Sequence, residues 1–348
     1  MIASVRIKHY VIPSLDTQIS NRLHSTNEIL STMINQIRQI ARKLLLKIFT
    51  KLFPDSFLMD DRHYQYWEKH GYHISRVSFY SPLPDTRDFT DATFSKQWSL
   101  NGIAMNEKAQ VSLLRAFHKN LFNSYSTLPV EPTNIPQQYY LTNGAFNSVD
   151  GEILYCMIKH FLPKRVFEIG SGNTTYLIAQ ALNELKDERR HRGMLTTFDP
   201  YPNVYVKKGF PGLTNFEEKR VQDVSLERFA ELKENDILFI DSSHVVAVGS
   251  DVQYLFMEVL PHLRKGVVVH LHDIFLPEEY MKSWLIKDFR FWNEQYMLYA
   301  FLQHNNAFKV LWAGNYMRLR HPDLLTKLIP SFNEDRVIPG SFWIRKVK

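Results

Sequence analysis

The run Arg165-Val-Phe-Glu-Ile-Gly-Ser-Gly-Asn-Thr-Thr175 constrains this chain more than any other segment. A short apolar strand, Arg165 to Ile169, carries Glu168 and opens directly into Gly170-Ser171-Gly172, after which a helical pattern begins. Glycine is wanted in such a turn for two reasons: a Cβ forbids the backbone angles of a sharp strand-to-helix connection, and a ligand must approach bare backbone. The unit then continues. Ala179 to Leu185 reads as helix and Met194 to Phe198 as strand, with Asp199 at the strand tip, a spacing that suits an acid reaching ribose hydroxyls. Thr175 stands where a dinucleotide fingerprint has its third glycine, which argues against NAD.

The same alternation fills the rest of the chain. Ser148 is a candidate N-cap for a helix over Val149 to Phe161, and Pro163 ends it. Downstream, a strand is expected over Phe216 to Val221, ending in Gln222-Asp223, and another over Asp236 to Ile240, tipped by Asp241. A helix over Val252 to Leu260 leads to a strand over Val267 to Leu271, tipped by His272-Asp273. Trp292 to His304 reads as helix, Phe308 to Met317 as strand and Gly340 to Lys346 as a last strand. Strands alternating with helices imply an α/β fold with a parallel sheet, whose ligand site lies at the carboxyl ends of the strands.

Glu168-x-Gly170-x-Gly172 and the acid-tipped strands after it resemble the class I S-adenosylmethionine-dependent methyltransferases over roughly Tyr139 to Lys348. The pattern is closest to a bacterial group near the macrocin O-methyltransferase and cephalosporin-hydroxylase-like proteins. The resemblance implies a Rossmann-like, seven-stranded, mostly parallel sheet with helices on both faces, the final strand antiparallel beside the fifth. It also implies cofactor roles: Glu168, Gly170, Ser171 and Gly172 around the amino-acid end, Asp199 on the ribose, Asp223 near the adenine amine, and Asp241 alongside.

Asp241-Ser-Ser-His244 and His270-Leu-His272-Asp273-Ile274 should be neighbours in space. In catechol-type, metal-dependent O-methyltransferases the fourth-strand tip supplies an aspartate ligand and, three residues later, a general base, while the fifth supplies another aspartate. Asp241, His244 and Asp273 are similar to those places, with histidine where the catechol type has lysine. Ile274 departs from the pattern, and two carboxylates alone hold magnesium poorly. His272 would complete a metal set with Asp241 and Asp273 and shift its preference towards zinc, manganese or iron. The resemblance thus implies His244 as general base, acting as a neutral imidazole with an ordinary pKa of about 6.5. His270 reads as a core histidine. The Asp273 to Pro277 run forms part of the substrate wall, and Trp292, Asn293, Glu294 and Tyr296 join it by adjacency.

Ahead of this domain, Ser25-Thr-Asn-Glu28 has a capping-box pattern. Apolar residues then recur at steps of three and four from Leu30 to Leu52, so the helix over 28–53 is amphipathic. Arg38, Arg42, Lys43, Lys47 and Lys51 stand in it without an acid after Glu28, and Pro54 is its stop. Such a helix suits a dimer seam, packing on the protein itself, or peripheral membrane contact. The expected organisation is a basic amphipathic region over 1–59, an accessory or lid segment over 60–138 and a methyltransferase domain over 139–348. The middle segment carries an alternating strand pattern from Tyr72 to Tyr80, a helix over Asn106 to Phe122 and prolines at 129, 132 and 136.

Composition sets the outer bounds. A formal charge of +6 over 348 residues makes nucleic acid an unlikely partner. The single cysteine, Cys156, lies in an apolar helical pattern and reads as a buried thiol. No apolar run approaches the roughly 20 residues needed to span a bilayer, and the N-terminus lacks a secretory-signal pattern, so a cytoplasmic protein is expected, at most peripheral at the membrane. The sequence reading is a methyltransferase acting on a hydroxyl of a sugar or secondary metabolite, a small-molecule or glycoside acceptor, with His244 acting either alone or with a divalent cation as a further cofactor. The alternatives are an NAD-dependent oxidoreductase and a catalytically inactive cofactor-binding scaffold held at a membrane surface or partner.

Overall fold

The structure, a computed structural model, describes residues 15–53 and 60–348. Two compact units divide at Pro84/Asp85. In the first, one helix runs Leu15–Leu52, so Ser25 to Glu28 lie inside it and do not form its start. Pro54, read as the stop, lies outside the described residues. From Leu30 to Leu52 the helix exposes a stripe of leucine and isoleucine. Tyr72 to Tyr80 forms no strand. Its alternation lacks a partner: Tyr72, Val77, Phe79 and Tyr80 are all exposed, and a lone alternating segment has no ladder to join.

The second unit begins at Asp85 and so takes in most of the segment expected to be accessory. The reason is the helix Glu107–Tyr125, which buries Leu114, Phe117 and Tyr125 in the same core as the helix Asp150–Phe161. Its centre is a seven-stranded sheet in the order β3-β2-β1-β4-β5-β7-β6. The strands are β1 Arg165–Ile169, β2 Met194–Phe198, β3 Asn215–Glu217, β4 Ile237–Ile240, β5 Val268–Leu271, β6 Phe308–Ala313 and β7 Phe342–Lys346. β7 runs antiparallel to both of its neighbours, and the other pairs are parallel.

Strand periodicity builds the two cores. Val166, Leu195, Ile237, Phe239 and Val268 face the helices Glu107–Tyr125, Asp150–Phe161 and Asn173–Arg189. Phe167, Ile169, Phe198, Leu238, Ile240, Val269 and Leu271 face the opposite layer, which includes Val252, Val259 and Leu298. Each such fully buried side chain contributes roughly 1.5–3 kcal/mol. Cys156 is buried in the first core, as expected.

Three local readings need correction. Phe308 to Met317 is a strand only to Ala313, after which Gly314–Arg320 is helical. The strand expected over Phe216 to Val221 is shorter and earlier, and Val221–Asp223 is a 3₁₀ turn. The helix after Ser148 starts at Asp150, and the Ser148 hydroxyl bonds the side chains of Glu152 and Ser331 instead of capping it.

Candidate active site

Parallel register places three strand tips side by side. Asp241 N donates to Ile169 O, and His272 N donates to Ile240 O, both at 3.0 Å, so β1, β4 and β5 end level. Gly170 follows the first tip with φ +86°, and a Cβ there would lie 1.9 Å from the Asp241 carbonyl oxygen. Only glycine lets the loop pass that close to β4. Gly172 has open space where its side chain would be, and it leads into the helix Asn173–Arg189.

Beside this loop lies a cleft of about 560 Å³, lined by Gly170, Ser171 and Gly172, by Asp199, by Arg220 to Gln222, and by Asp241 and Ser242. Asp199 Oδ2 accepts from Ser171 N at 2.9 Å and from Ser171 Oγ at 2.6 Å, tying the tip of β2 to the glycine turn. The Ser242 hydroxyl is buried without a partner among the described residues. A bare helix entrance, an acid opposite it and an unsatisfied hydroxyl fit a nucleoside-type cofactor.

Two of the expected cofactor residues lie elsewhere. Glu168 is fully buried and accepts from Thr174 Oγ1 and Thr197 Oγ1, both at 2.7 Å, so it braces β1 against β2 and the following helix and does not line the cleft. Burial pushes its carboxyl up to about 7, against the opposing effect of the threonine hydroxyls. Asp223 points away: it is paired with Arg220 at 2.9 Å on the surface, and its neighbours Arg220, Val221 and Gln222 line the cleft in its place. A shift of one residue in a short turn suffices for this, and the sequence carried no signal for it.

On the far side of Asp241 the acidic tips converge on His244. Its Nε2 lies 3.3 Å from Asp241 Oδ1 and 3.5 Å from Asp273 Oδ2, and its Nδ1 lies 2.8 Å from Glu294 Oε2. Both His244 and Asp273 adopt left-handed backbone angles, φ +61° and +53°, which turn the chain sharply just beyond each strand. The His244 carbonyl accepts from Asn293 N and Glu294 N, anchoring the start of the helix Glu294–Leu302 against the imidazole. Trp292 packs on the ring at 4.4 Å.

Electrostatics follow from this crowding. Burial alone would lower the His244 pKa, but the carboxylates of Asp241 and Glu294 outweigh it and raise it to about 10. The neutral imidazole expected from sequence is thus disfavoured at neutral pH. Burial would likewise raise the Asp241 carboxyl, yet His272 and His244 hold it well below the usual range. Asp273 is pushed up, first by burial and then by the charges of Asp241 and Asp150, against the two imidazoles.

Asp241, His244 and Asp273 each offer a ligand atom within 4.8 Å of the other two. His272, expected in that set, lies beside it, its Nδ1 3.5 Å from Asp241 Oδ1 and 3.6 Å from Asp273 Oδ1, and its Nε2 3.7 Å from Asp150 Oδ2. Asp150 itself accepts from the backbone N–H groups of Gly340 and Ser341, fixing the entry to β7. His270 is a core residue, stacked on Phe239 and bonded to Ser341, with burial holding its pKa well below the ordinary value. Ile274 is buried in the core. Of the wall residues expected by adjacency, Glu294 is behind the imidazole, Asn293 Oδ1 accepts from Val246 N, and Tyr296 bonds Glu279.

A mostly parallel sheet with this strand order, a glycine turn after β1 and an acid at the tip of β2 suit a nucleoside-type cofactor, and residues 167–274 match the family described as a methyltransferase domain. Over those residues the chain carries a methyltransferase domain, which takes in the strands from β1 to β5 and the tips that hold Asp199, Asp241 and Asp273. It is 32% identical over 170 residues to an uncharacterized protein of Archaeoglobus fulgidus, covering 46% of this chain and 73% of that one. Among solved structures, similarity extends to an O-methyltransferase from Bacillus cereus in complex with SAH, at 14% identity over 68% of this chain and 91% of that one, with a TM-score of 0.34. It extends also to the TDP-rhamnose 3′-O-methyltransferase of calicheamicin biosynthesis, at 13% identity over 74% and 99% of the two chains, again with a TM-score of 0.34.

Proposed function

We propose that the protein methylates a hydroxyl of a small-molecule acceptor, a sugar or secondary metabolite, with the proton leaving at the Asp241, His244 and Asp273 cluster. The observation that carries this reading is the contiguity of two sites: Asp241 lines the cofactor cleft and is also 3.3 Å from His244 Nε2. S-adenosylmethionine, when bound, supplies a methyl group on a sulfonium that leaves as a neutral thioether. The protein's part is then alignment of the two reactants and removal of one proton. Gly170 to Gly172 present bare backbone to the cofactor, and Asp199, held by Ser171, faces its ribose.

Glu294 fixes the imidazole so that Nε2 points between the two aspartates. Carboxylates on both sides favour the imidazolium, so His244 takes a proton readily only where something offsets them. Two carboxylates and an imidazole form a donor set suited to manganese, iron or zinc, and a cation held there would lower the pKa of a nearby hydroxyl. The three residues that would hold it are Asp241, His244 and Asp273, with Glu294 as the outer partner of the histidine.

Among the described residues no helix is long and apolar enough to cross a membrane. The proposed location is the cytoplasm, and the exposed stripe from Leu30 to Leu52 beside Arg38, Arg42 and Lys43 favours a peripheral contact with anionic lipid or a second copy of the chain. The functional reading is tested by titrating the purified protein with S-adenosylhomocysteine and with NADH. Binding of the former alone is expected, and binding of NADH alone would overturn it.

A further inference from the structure

A second cavity, about 600 Å³, opens on the other side of the acidic cluster. Its floor is Asp150, His272 and Asp273, and Asp273 Oδ2 is the atom 3.5 Å from His244 Nε2. Ala145 lines this cavity and the cofactor cleft alike. Asp241 thus faces one cavity and Asp273 the other, with His244 between them. A group reaching down the second cavity meets the cluster from the side opposite the cofactor.

The walls say what such a group is attached to. Polar side chains, Thr142, Asn147 and Asn333, alternate with an indole, Trp284, and with apolar Val337 and Ile338, a mixture that suits rings bearing hydroxyls on their edges and C–H bonds on their faces. At the rim stands Arg336, exposed, with no carboxylate in ion-pair range among the described residues. A guanidinium without a partner at the mouth of a cavity whose floor is acidic sets a polarity: anion outside, hydroxyl inside. The volume exceeds what one sugar ring needs and lies within the usual range for ligand pockets.

We propose that this cavity is the acceptor site, and that it takes a polyhydroxylated acceptor carrying a phosphate or carboxylate, held by Arg336 while one hydroxyl is delivered past Asp273. The inference rests on the methyltransferase reading above. It is tested on the full chain saturated with S-adenosylhomocysteine, using methyl glucoside, methyl glucuronide and glucose 1-phosphate as probes in ligand-observed magnetic-resonance titrations. The two charged probes should bind, the neutral one at least about 10-fold more weakly, and the ratio between glucuronide and phosphate tells which anion Arg336 prefers.

Arg336→Gln should abolish that preference, and Arg336→Lys should retain part of it. Affinity for S-adenosylhomocysteine should stay unchanged in both, which also shows that they fold. Equal binding of all three probes, binding that survives Arg336→Gln, or no binding of any probe to the S-adenosylhomocysteine complex would overturn the proposal. Failure of S-adenosylhomocysteine itself to bind would instead overturn the reading beneath it.

Discussion

Nδ1 of His244 and Oε2 of Glu294 lie 2.8 Å apart across fifty residues of chain, both side chains buried. This bond fixes which imidazole nitrogen faces Asp241 and Asp273. Glu294→Gln keeps the shape and removes the charge. Loss of such an outer partner typically costs about 10- to 100-fold in activity, and turnover should fall by that much with S-adenosylhomocysteine affinity unchanged. Turnover within two-fold of wild type would show that Glu294 does not position the histidine.

The cluster itself makes a sharper prediction. Treatment with a chelator should abolish methyl transfer, manganese or another divalent ion should restore it, and Asp273→Asn should lose activity while still binding S-adenosylhomocysteine. Full activity after exhaustive chelation would leave the proton to His244 alone. In that case His244→Ala should still cost about 10²- to 10⁴-fold, the usual worth of a general base.

Asp199→Ala should weaken S-adenosylhomocysteine binding by about 10- to 100-fold, equivalent to roughly 1.5–3 kcal/mol. The residue has two duties, since its carboxylate also holds Ser171 N and Oγ. Calorimetry on the folded variant showing wild-type affinity would remove it from the cofactor site.

Glu168 gives a pH signature. Its pKa in the folded chain is about 7 against an ordinary 4.5, so the folded state binds the proton more tightly than the unfolded one. The stability it contributes is full below about pH 4.5 and is lost as pH rises towards 7, on the order of 3 kcal/mol in all. Glu168→Gln keeps the threonine partners and should lack this loss. The difference in melting temperature between variant and wild type should therefore grow across that window, and a constant difference would contradict the burial argument.

How far the sequence showed this site depends on chain separation. β1 and β2 were legible to the residue because buried parallel strands are unbroken apolar runs bounded by turn signals, and the glycine turn is local. Asp241, His244 and Asp273 were legible because strand tips in one parallel sheet lie together. The role of Glu294 was not, because nothing in a sequence says which helix start packs against His244. Tyr72 to Tyr80 alternated without a strand to pair with, and Asp223 missed the cleft by one position.

The N-terminal helix is a separate matter. Deleting residues through Phe53 should leave cofactor binding intact, since no proposed ligand lies there, and should abolish either dimerisation or sedimentation with anionic vesicles. A truncated chain unchanged in both assays would mean that the apolar stripe only packs on the protein itself.

The most direct test of the central claim is a crystal structure of the full chain grown with S-adenosylhomocysteine. The account predicts the ligand in the cleft against Gly170 to Gly172, its ribose at Asp199, its adenine near Arg220 to Gln222 and its sulfur on the side of Asp241. An empty cleft at saturating ligand, or a sulfur turned away from the Asp241, His244 and Asp273 cluster, would contradict it.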